Sequence, residues 1–118
     1  MRDTIKRHQD FITPDDAPSA RSAYFIVRVK PAKFVNDPRV GFVAAKRTFR
    51  FAVERNRAKR LLRDWVRFNE GLMLPEYDYI FIAHAAILKA TRDKGRAGMA
   101  KALEHITHEQ NQNVRQDS

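Results

Sequence analysis

The chain has 118 residues, which fits one compact domain, and it carries 23 lysines and arginines against 14 acids, a formal net charge of +9. It has no cysteine, so disulfides and thiolate zinc sites are excluded, and no apolar run approaches the roughly 18 residues that span a bilayer. No apolar stretch follows the charged N-terminus, so we expect a cytoplasmic protein without a secretory signal. The charge excess favours a polyanionic partner, but a merely basic protein is equally compatible with it, so the charge distribution has to decide.

The first segment with a helical pattern is residues 3–12, in which Ile5 and Phe11 fall about two turns apart. Two prolines then bracket the acidic pair Asp15-Asp16 and end the pattern. We therefore expect a short N-terminal helix.

Two strands are predicted next, over residues 24–30 and 39–45, from their β-branched and aromatic content. Alternation divides the first strand into two faces. The core face holds Phe25, Val27 and Val29, and the other face mixes apolar and basic groups: Tyr24, Ile26, Arg28 and Lys30. The turn residues Asn36-Asp37-Pro38 lie between the strands, so we expect a hairpin with a long loop.

The second half begins with the most regular helical pattern of the chain, residues 52–69, which ends near Gly71. A buried strand follows over residues 77–84, and a last helix over residues 93–109. One face of this last helix is apolar and holds Met99, Leu103 and Ile106. Residues 110–118 are polar, and we expect them to form a frayed tail.

The order of these elements, α-β-β-(β)-α-β-α, indicates an α+β fold. We expect a small two-layer sandwich around a central mixed sheet, formed as one domain over residues 1–118.

The helix over residues 52–69 has two different faces when its residues are placed at about 100° intervals. One sector is apolar except for its last member and should pack on the sheet: Ala58, Leu61, Leu62, Trp65, Phe68 and Asn69. The opposite sector is basic and polar: Asn56, Arg57, Lys59, Arg60, Arg63 and Arg67, with Arg55 at its edge. Asp64 interrupts the basic sector, and we expect it to pair with Arg60 or Arg67.

Most of the net charge is concentrated around this helix. Residues 46–67 hold nine basic and two acidic side chains, a net +7 of the chain's +9. On a solvent-exposed structural helix, acidic and basic residues normally alternate. Like charges on one face repel each other and lower the stability of the helix unless a bound anion neutralises them. Arginine predominates, and its planar fork binds phosphate through two hydrogen bonds. The pattern therefore indicates binding of RNA or DNA.

Three runs in and before this helix form a recognisable pattern: Arg39-Val40-Gly41-Phe42, Ala45-Lys46-Arg47, and Ala52-Val53-Glu54-Arg55-Asn56-Arg57-Ala58-Lys59-Arg60-Leu61-Leu62-Arg63-Asp64. On these runs the chain resembles one known family, the protein subunit of bacterial ribonuclease P. The resemblance extends over roughly residues 5–106.

The chain departs from the family pattern at several positions. Arg47 replaces a lysine, Asp64 replaces a glutamate, and His84 replaces a common arginine. Val43 and Ala44 replace more polar or β-branched residues, and Asp15-Asp16 follows Phe11 where the family often has a second aromatic.

The resemblance implies a subunit of an endoribonuclease that removes the 5′ leader of precursor tRNA. In that enzyme a large RNA is the catalyst and binds the divalent metal, magnesium, so the resemblance implies no catalytic residue and no metal site on the protein. It implies ribonuclease P RNA and precursor tRNA as partners, with no membrane and no required protein partner. The residues expected to contact the catalytic RNA are Lys46, Arg47, Arg55, Asn56, Arg57, Lys59, Arg60, Arg63 and Arg67. The family also has a left-handed βαβ crossover.

The resemblance further implies a cleft between the N-terminal helix and the sheet that holds the single-stranded leader. A basic groove with aromatic platforms suits such a strand. The side chains that could form it are Phe11, Tyr24, Arg28 and Lys30. Phe11 could equally be a core aromatic, and Tyr24 an edge-strand aromatic.

Two other functions fit the composition. One is a structural RNA-binding protein such as a ribosomal protein, from which only the Arg-Asn-Arg-x-Lys-Arg run distinguishes the chain. The other is a DNA-binding regulator, which is disfavoured because no second helix is predicted close enough for a helix-turn-helix. His105 and His108 lie three residues apart on a helix, but the sequence shows no further metal ligand near them.

Overall fold

The computed structural model describes the backbone of residues 2–116 and the side chains of residues 2–112. Five strands and two α-helices form within it, in agreement with the predicted α+β class. The strands are β1 (Asp3–Thr4), β2 (Ser19–Arg21), β3 (Phe25–Pro31), β4 (Arg39–Val43) and β5 (Tyr77–Ala83), and the helices are α1 (Ala52–Phe68) and α2 (Arg92–Gln116). Three short 3₁₀ helices cover His8–Phe11, Glu70–Leu72 and Ala85–Lys89. Across residues 2–116, no helix is both long and apolar enough to cross a membrane.

The strands form one mixed sheet in the order β1-β4-β5-β3-β2. β4 is parallel to β1 and β5, whereas β3 is antiparallel to β5 and β2. The predicted hairpin between β3 and β4 is therefore wrong, because β5 lies between them. β5 is buried along most of its length, with five of its seven residues buried. A strand buried on both faces lies between two neighbouring strands, with other segments of the chain packed on each face of the sheet. The central position of β5 meets this condition.

The helices α1 and α2 cover one face of the sheet and enclose the hydrophobic core. Phe25, Val27 and Val29 of β3 are fully buried there, which confirms the predicted core face. The apolar face of α2 is confirmed as well, since Met99, Leu103 and Ile106 are fully buried: all three belong to this core. α1 connects the adjacent parallel strands β4 and β5, and the hand of this crossover stays a prediction.

The predicted N-terminal helix over residues 3–12 is wrong. The chain begins with β1, whose pairing continues at Ile5, where the amide donates to the carbonyl of Val40 at 2.8 Å. A single 3₁₀ turn ends at Phe11. The spacing of Ile5 and Phe11 fits a helix and also a strand followed by a 3₁₀ turn. The strand is favoured because its backbone groups form hydrogen bonds with the open edge of β4, whereas the first turn of a helix would leave its amides without partners.

The remaining differences concern element ends and one short strand. The last helix begins at Arg92 and continues to Gln116, so the predicted end at residue 109 and the frayed tail are wrong for residues 110–116. No glycine or proline stops the helix there, and Tyr77 donates a hydrogen bond to Gln110 Oε1 at 3.0 Å. Residues 117–118 lie outside the described part. β2 was not predicted as a strand at all.

Candidate nucleic-acid interface

The exposed side of α1 carries a row of cations. Four exposed arginines lie along the helix, with the neutral Asn56 exposed beside them: Arg57, Arg60, Arg63 and Arg67. Two further exposed cations, Lys46 and Arg47, lie in the segment that precedes the helix. Within the described residues, none of these cations forms an ion pair with a carboxylate. Unpaired like charges on one helix face repel each other, so this face is ready to be neutralised by phosphates. We call it the α1 basic face.

Three of the predicted residues differ from the rest of the row in burial or in contacts. Arg55 is half-buried, and its guanidinium donates to the carbonyls of Phe49 at 2.9 Å and Arg50 at 3.2 Å. It therefore ties the preceding segment to the first turn of the helix. Lys59 is half-buried, and the guanidinium of Arg63 lies 5.3 Å from the ring centre of Phe42, a cation–π contact that links the row to the sheet.

The apolar side of α1 matches its prediction except at one position. Ala58, Leu62, Trp65 and Asn69 are buried and Leu61 is half-buried, but Phe68 is 62% exposed. Val66 is fully buried instead. On a helical wheel the centre of the buried sector lies near Leu62. Phe68 lies about 120° from this centre, beside the basic residues, and is therefore exposed.

Asp64 does not pair with Arg60 or Arg67. Its carboxylate lies 3.1 Å from Nη2 of Arg96 on α2, and the guanidinium of Arg96 lies 4.2 Å from the ring centre of Phe68. The acid that interrupts the row is thus neutralised by the neighbouring helix and not by the row itself. This leaves the charges of the α1 basic face uncompensated within the described residues.

The second predicted site lies on the sheet face opposite the helices, where residues 5–17 cross the strands. Phe11 sits against Gly41 of β4, so closely that a Cβ built on Gly41 would lie 2.6 Å from Cε1 of Phe11. Arg28 and Lys30 share this face, but each donates to main-chain carbonyls of the crossing segment. Arg28 reaches Pro14 O at 2.7 Å, and Lys30 reaches Asp10 O at 2.5 Å. Both cations therefore support the segment that carries Phe11.

Tyr24 does not join this group. It precedes β3, and its ring centre lies 5.8 Å from that of Trp65, toward the helix-covered side. The predicted alternation therefore fails at Tyr24, because the strand begins one residue later than expected and the chain bends toward α1.

A row of residues that the sequence reasoning did not select completes the sheet face. Val43, Ile82 and Ile26 lie side by side in register on β4, β5 and β3, and all three are half-buried. Arg21 on β2 pairs with Ile26 and so extends the row with a cation. The exposed-buried-exposed pattern of β2 was the available signal, but three residues are too few for a strand prediction.

A buried charge network anchors the crossing segment at the other end of the sheet. The carboxylate of Asp78, which is fully buried, accepts a hydrogen bond from the Arg39 amide at 2.7 Å. Asp10 lies 3.2 Å from Nη1 of Arg39 and 3.2 Å from Nζ of Lys33. The hydrogen bonds from Lys33 and then Arg39 lower the pKa of Asp10 below its usual value. These ion pairs fix the position of the turn that holds Phe11.

The two histidines of α2 that were considered as metal ligands each contact a side chain one turn further along the helix. Nε2 of His105 lies 2.9 Å from Oε1 of Glu109, and His108 is hydrogen-bonded to Gln112 at 3.0 Å. Residues 2–116 contain no group of three or more histidine, cysteine or acidic residues that could hold a metal ion.

These features together define an RNA-binding protein of the α+β class, with one helix that presents unpaired arginines and a sheet face crossed by an aromatic segment. A family model described as Ribonuclease P matches residues 2–107, and the chain belongs to this family. This confirms the predicted family, and with it a role in the 5′ maturation of tRNA. The ribosomal-protein alternative is not favoured.

Curated relatives and solved structures agree with this assignment. The chain is 32% identical over 108 residues to the ribonuclease P protein component of Lactobacillus delbrueckii subsp. bulgaricus, covering 89% of each protein. Its fold is similar to the RNase P protein of Staphylococcus aureus, with a TM-score of 0.70 and 24% identity over 86% of this chain and 92% of that one. The RNase P protein of Thermotoga maritima also gives a TM-score of 0.70, at 21% identity over 88% and 97% of the two chains.

Proposed function

We propose that this chain is the protein subunit of a ribonucleoprotein endoribonuclease in which ribonuclease P RNA performs the cleavage of precursor tRNA. The observation that carries the proposal is the α1 basic face, whose cations have no carboxylate partners in the described residues. This face binds the catalytic RNA, and Arg55 fixes the preceding segment so that Lys46 and Arg47 extend it. No other protein is required.

The RNA is proposed to bind the catalytic magnesium ions. Asp10, Asp64 and Asp78 are each held in ion pairs with arginine or lysine, so their charge is already compensated. The protein instead contributes positive charge where RNA phosphates crowd together, which lowers the magnesium concentration that the RNA needs. The proposal is tested by adding the chain to a bacterial ribonuclease P RNA and measuring 5′ cleavage of precursor tRNA at low magnesium.

The leader of the precursor is proposed to lie on the sheet face beside Phe11. The half-buried row of Val43, Ile82 and Ile26 gives this face an apolar floor, and Arg21 supplies a cation at its edge. Bases of a single strand stack on aromatic rings without regard to sequence, and the backbone follows nearby cations. Arg28 and Lys30 act mainly by holding the Phe11 segment in place.

Replacing Phe11 with alanine is expected to reduce the preference of the RNA–protein complex for precursor over mature tRNA by roughly tenfold, the loss of about one stacked base. The measurement is the ratio of the two dissociation constants. Ile12→Ala is the matched control, because Ile12 lies in the same segment and is 63% exposed, and it should leave the ratio within about twofold.

The Gly41→Ala variant tests the same site without removing the ring. Its added Cβ must displace Phe11, and it should lower the ratio while mature tRNA binds as before. Equal loss of binding to both tRNAs in the Phe11→Ala complex would instead make Phe11 a core residue and contradict the leader site.

A further inference from the structure

A separate cationic groove lies between β2 and α2, at the edge of the sheet far from β1 and β4. It consists of two adjoining cavities of about 330 and 450 Å³, and Arg21 and Lys101 line both. Tyr24 and Lys94 line the first cavity, and His105 lines the second. No acidic residue is among the residues that line either one.

The β2 side of the groove offers backbone hydrogen-bond donors. β2 is the last strand of the sheet and pairs only with β3. The amide of Ser22 donates to Phe25 O and that of Val29 to Pro18 O, which sets the hydrogen-bonding phase of this antiparallel pair. The amides of Ser19 and Arg21 therefore point away from β3 to the outer edge of the sheet.

The α2 side carries two lysines on one line. Lys94 and Lys101 are seven residues apart, which is about 10 Å along the helix axis. Both are exposed, and neither side chain has a hydrogen bond or an ion pair within the described residues. This spacing allows the two ammonium groups to contact different phosphates of one strand.

Tyr24 supplies a fixed hydroxyl donor between the two sides. Its ring packs on Trp65, and its hydroxyl has no hydrogen-bond partner in the described residues. Gly98 brings α2 close to this wall, since a Cβ there would lie 3.4 Å from Cβ of Ser22. The groove thus combines ammonium, amide and hydroxyl donors, which are the groups that contact phosphate and sugar oxygens.

We propose that the β2–α2 groove binds the sugar–phosphate backbone of single-stranded RNA, as a contact that is separate from the α1 basic face and meets the proposed leader site at Arg21. The inference rests on the proposed function, because it assumes that the partner is RNA. A single line of cations suits one strand, whereas a duplex presents two rows of phosphates.

The test is the salt dependence of binding between the full chain and a fluorescein-labelled 12-nucleotide oligouridylate, followed by anisotropy. The measurement is made in chains that also carry Arg57→Gln and Arg60→Gln, so that binding at the α1 basic face is reduced. Lys94→Gln with Lys101→Gln should lower the slope of log K against log salt by about 1.4, because each lost contact to a single strand removes about 0.7. Tyr24→Phe should weaken binding about threefold and leave the slope unchanged, because it removes one hydrogen bond and no charge.

Lys6→Gln with Arg7→Gln is the matched control, with the same charge change at exposed residues near the opposite edge of the sheet. Its slope should equal that of the background chain. An equal fall in the control, an unchanged slope for the lysine pair, or equal competition by polyglutamate would overturn the inference.

The outcomes also separate this inference from the proposed function. If the arginine variants of α1 lose the catalytic RNA while the lysine pair leaves oligouridylate binding unchanged, only the groove fails. If the lysine pair lowers the slope while the arginine variants bind the catalytic RNA normally, the groove is supported and the α1 contact fails.

Discussion

Alanine in place of Gly95 is expected to lower the free energy of unfolding by about 2 kcal/mol, although alanine is the better helix former. Gly95 lies where α2 crosses α1, and a Cβ built on it would lie 2.0 Å from Cε2 of Trp65. The indole ring is fully buried against Tyr24 and Phe25 and cannot move aside freely. The helices must therefore separate, or the ring must leave its packed position.

Urea unfolding measures this effect as a shift of the midpoint at constant slope. Gly71→Ala is the matched control, because nothing lies within 4 Å of a Cβ at that position, and its midpoint should change little. A Trp65→Leu change should lessen the cost of Gly95→Ala, since the two residues share one contact. If Gly95→Ala unfolds at the same urea concentration as the parent chain, the helix crossing described for Trp65 is wrong.

Neutralising Arg57, Arg60 and Arg67 together with glutamine is expected to weaken binding of ribonuclease P RNA by roughly a hundredfold or more near 0.1 M salt. Each contact to duplex phosphate contributes about 0.9 to the slope of log K against log salt, so the slope should fall by about 2.7. The three side chains are exposed and make no ion pair within the described residues, so the fold should be unaffected. Filter binding across a salt series measures both quantities.

Two controls make this result specific. A double change at exposed positions away from α1, Lys6→Gln with Arg7→Gln, should leave the slope near that of the parent chain, whereas Arg57→Gln with Arg60→Gln removes the same charge from the α1 basic face and should lower the slope by about 1.8. Lysine at positions 57, 60 and 67 keeps the charge but loses the planar fork, so the slope should persist while affinity falls. An unchanged slope in the glutamine triple would show that α1 does not contact the RNA.

The features that sequence reasoning predicted well are those that local periodicity determines. α1 spans seventeen residues with a clear apolar stripe. The periodicity of this stripe predicts where the helix begins and ends and on which side its arginines lie. The alternation in β3 identified Phe25, Val27 and Val29 as core in the same way. Fold class and the α1 basic face follow from these patterns.

The features that it missed depend on contacts between distant segments. Asp64 and Arg96 are 32 residues apart, and the sequence around Asp64 does not predict that its partner lies on α2. The same holds for β1, which forms because β4 offers an open edge, and for the central place of β5. Tyr24 was assigned to the wrong face because a bend one residue before β3 breaks the alternation.

These contacts connect the fold to the proposed function. Trp65 and Leu62 hold one side of α1 against the core, which directs the arginines of the other side to solvent. The pair of Asp64 and Arg96 removes the one acid of that row from competition with RNA. Asp10, Arg39 and Asp78 hold the segment of Phe11 on the opposite face of the sheet. The catalytic RNA and the leader would then meet different faces of one small sheet.

The most direct measurement of the central claim is cleavage of precursor tRNA by a bacterial ribonuclease P RNA at low magnesium, with and without this chain. The account predicts that the parent chain increases the rate of correct 5′ cleavage at least about tenfold, and that the glutamine triple of α1 loses most of this increase. Cleavage that is no faster with the parent chain than with the RNA alone would contradict it.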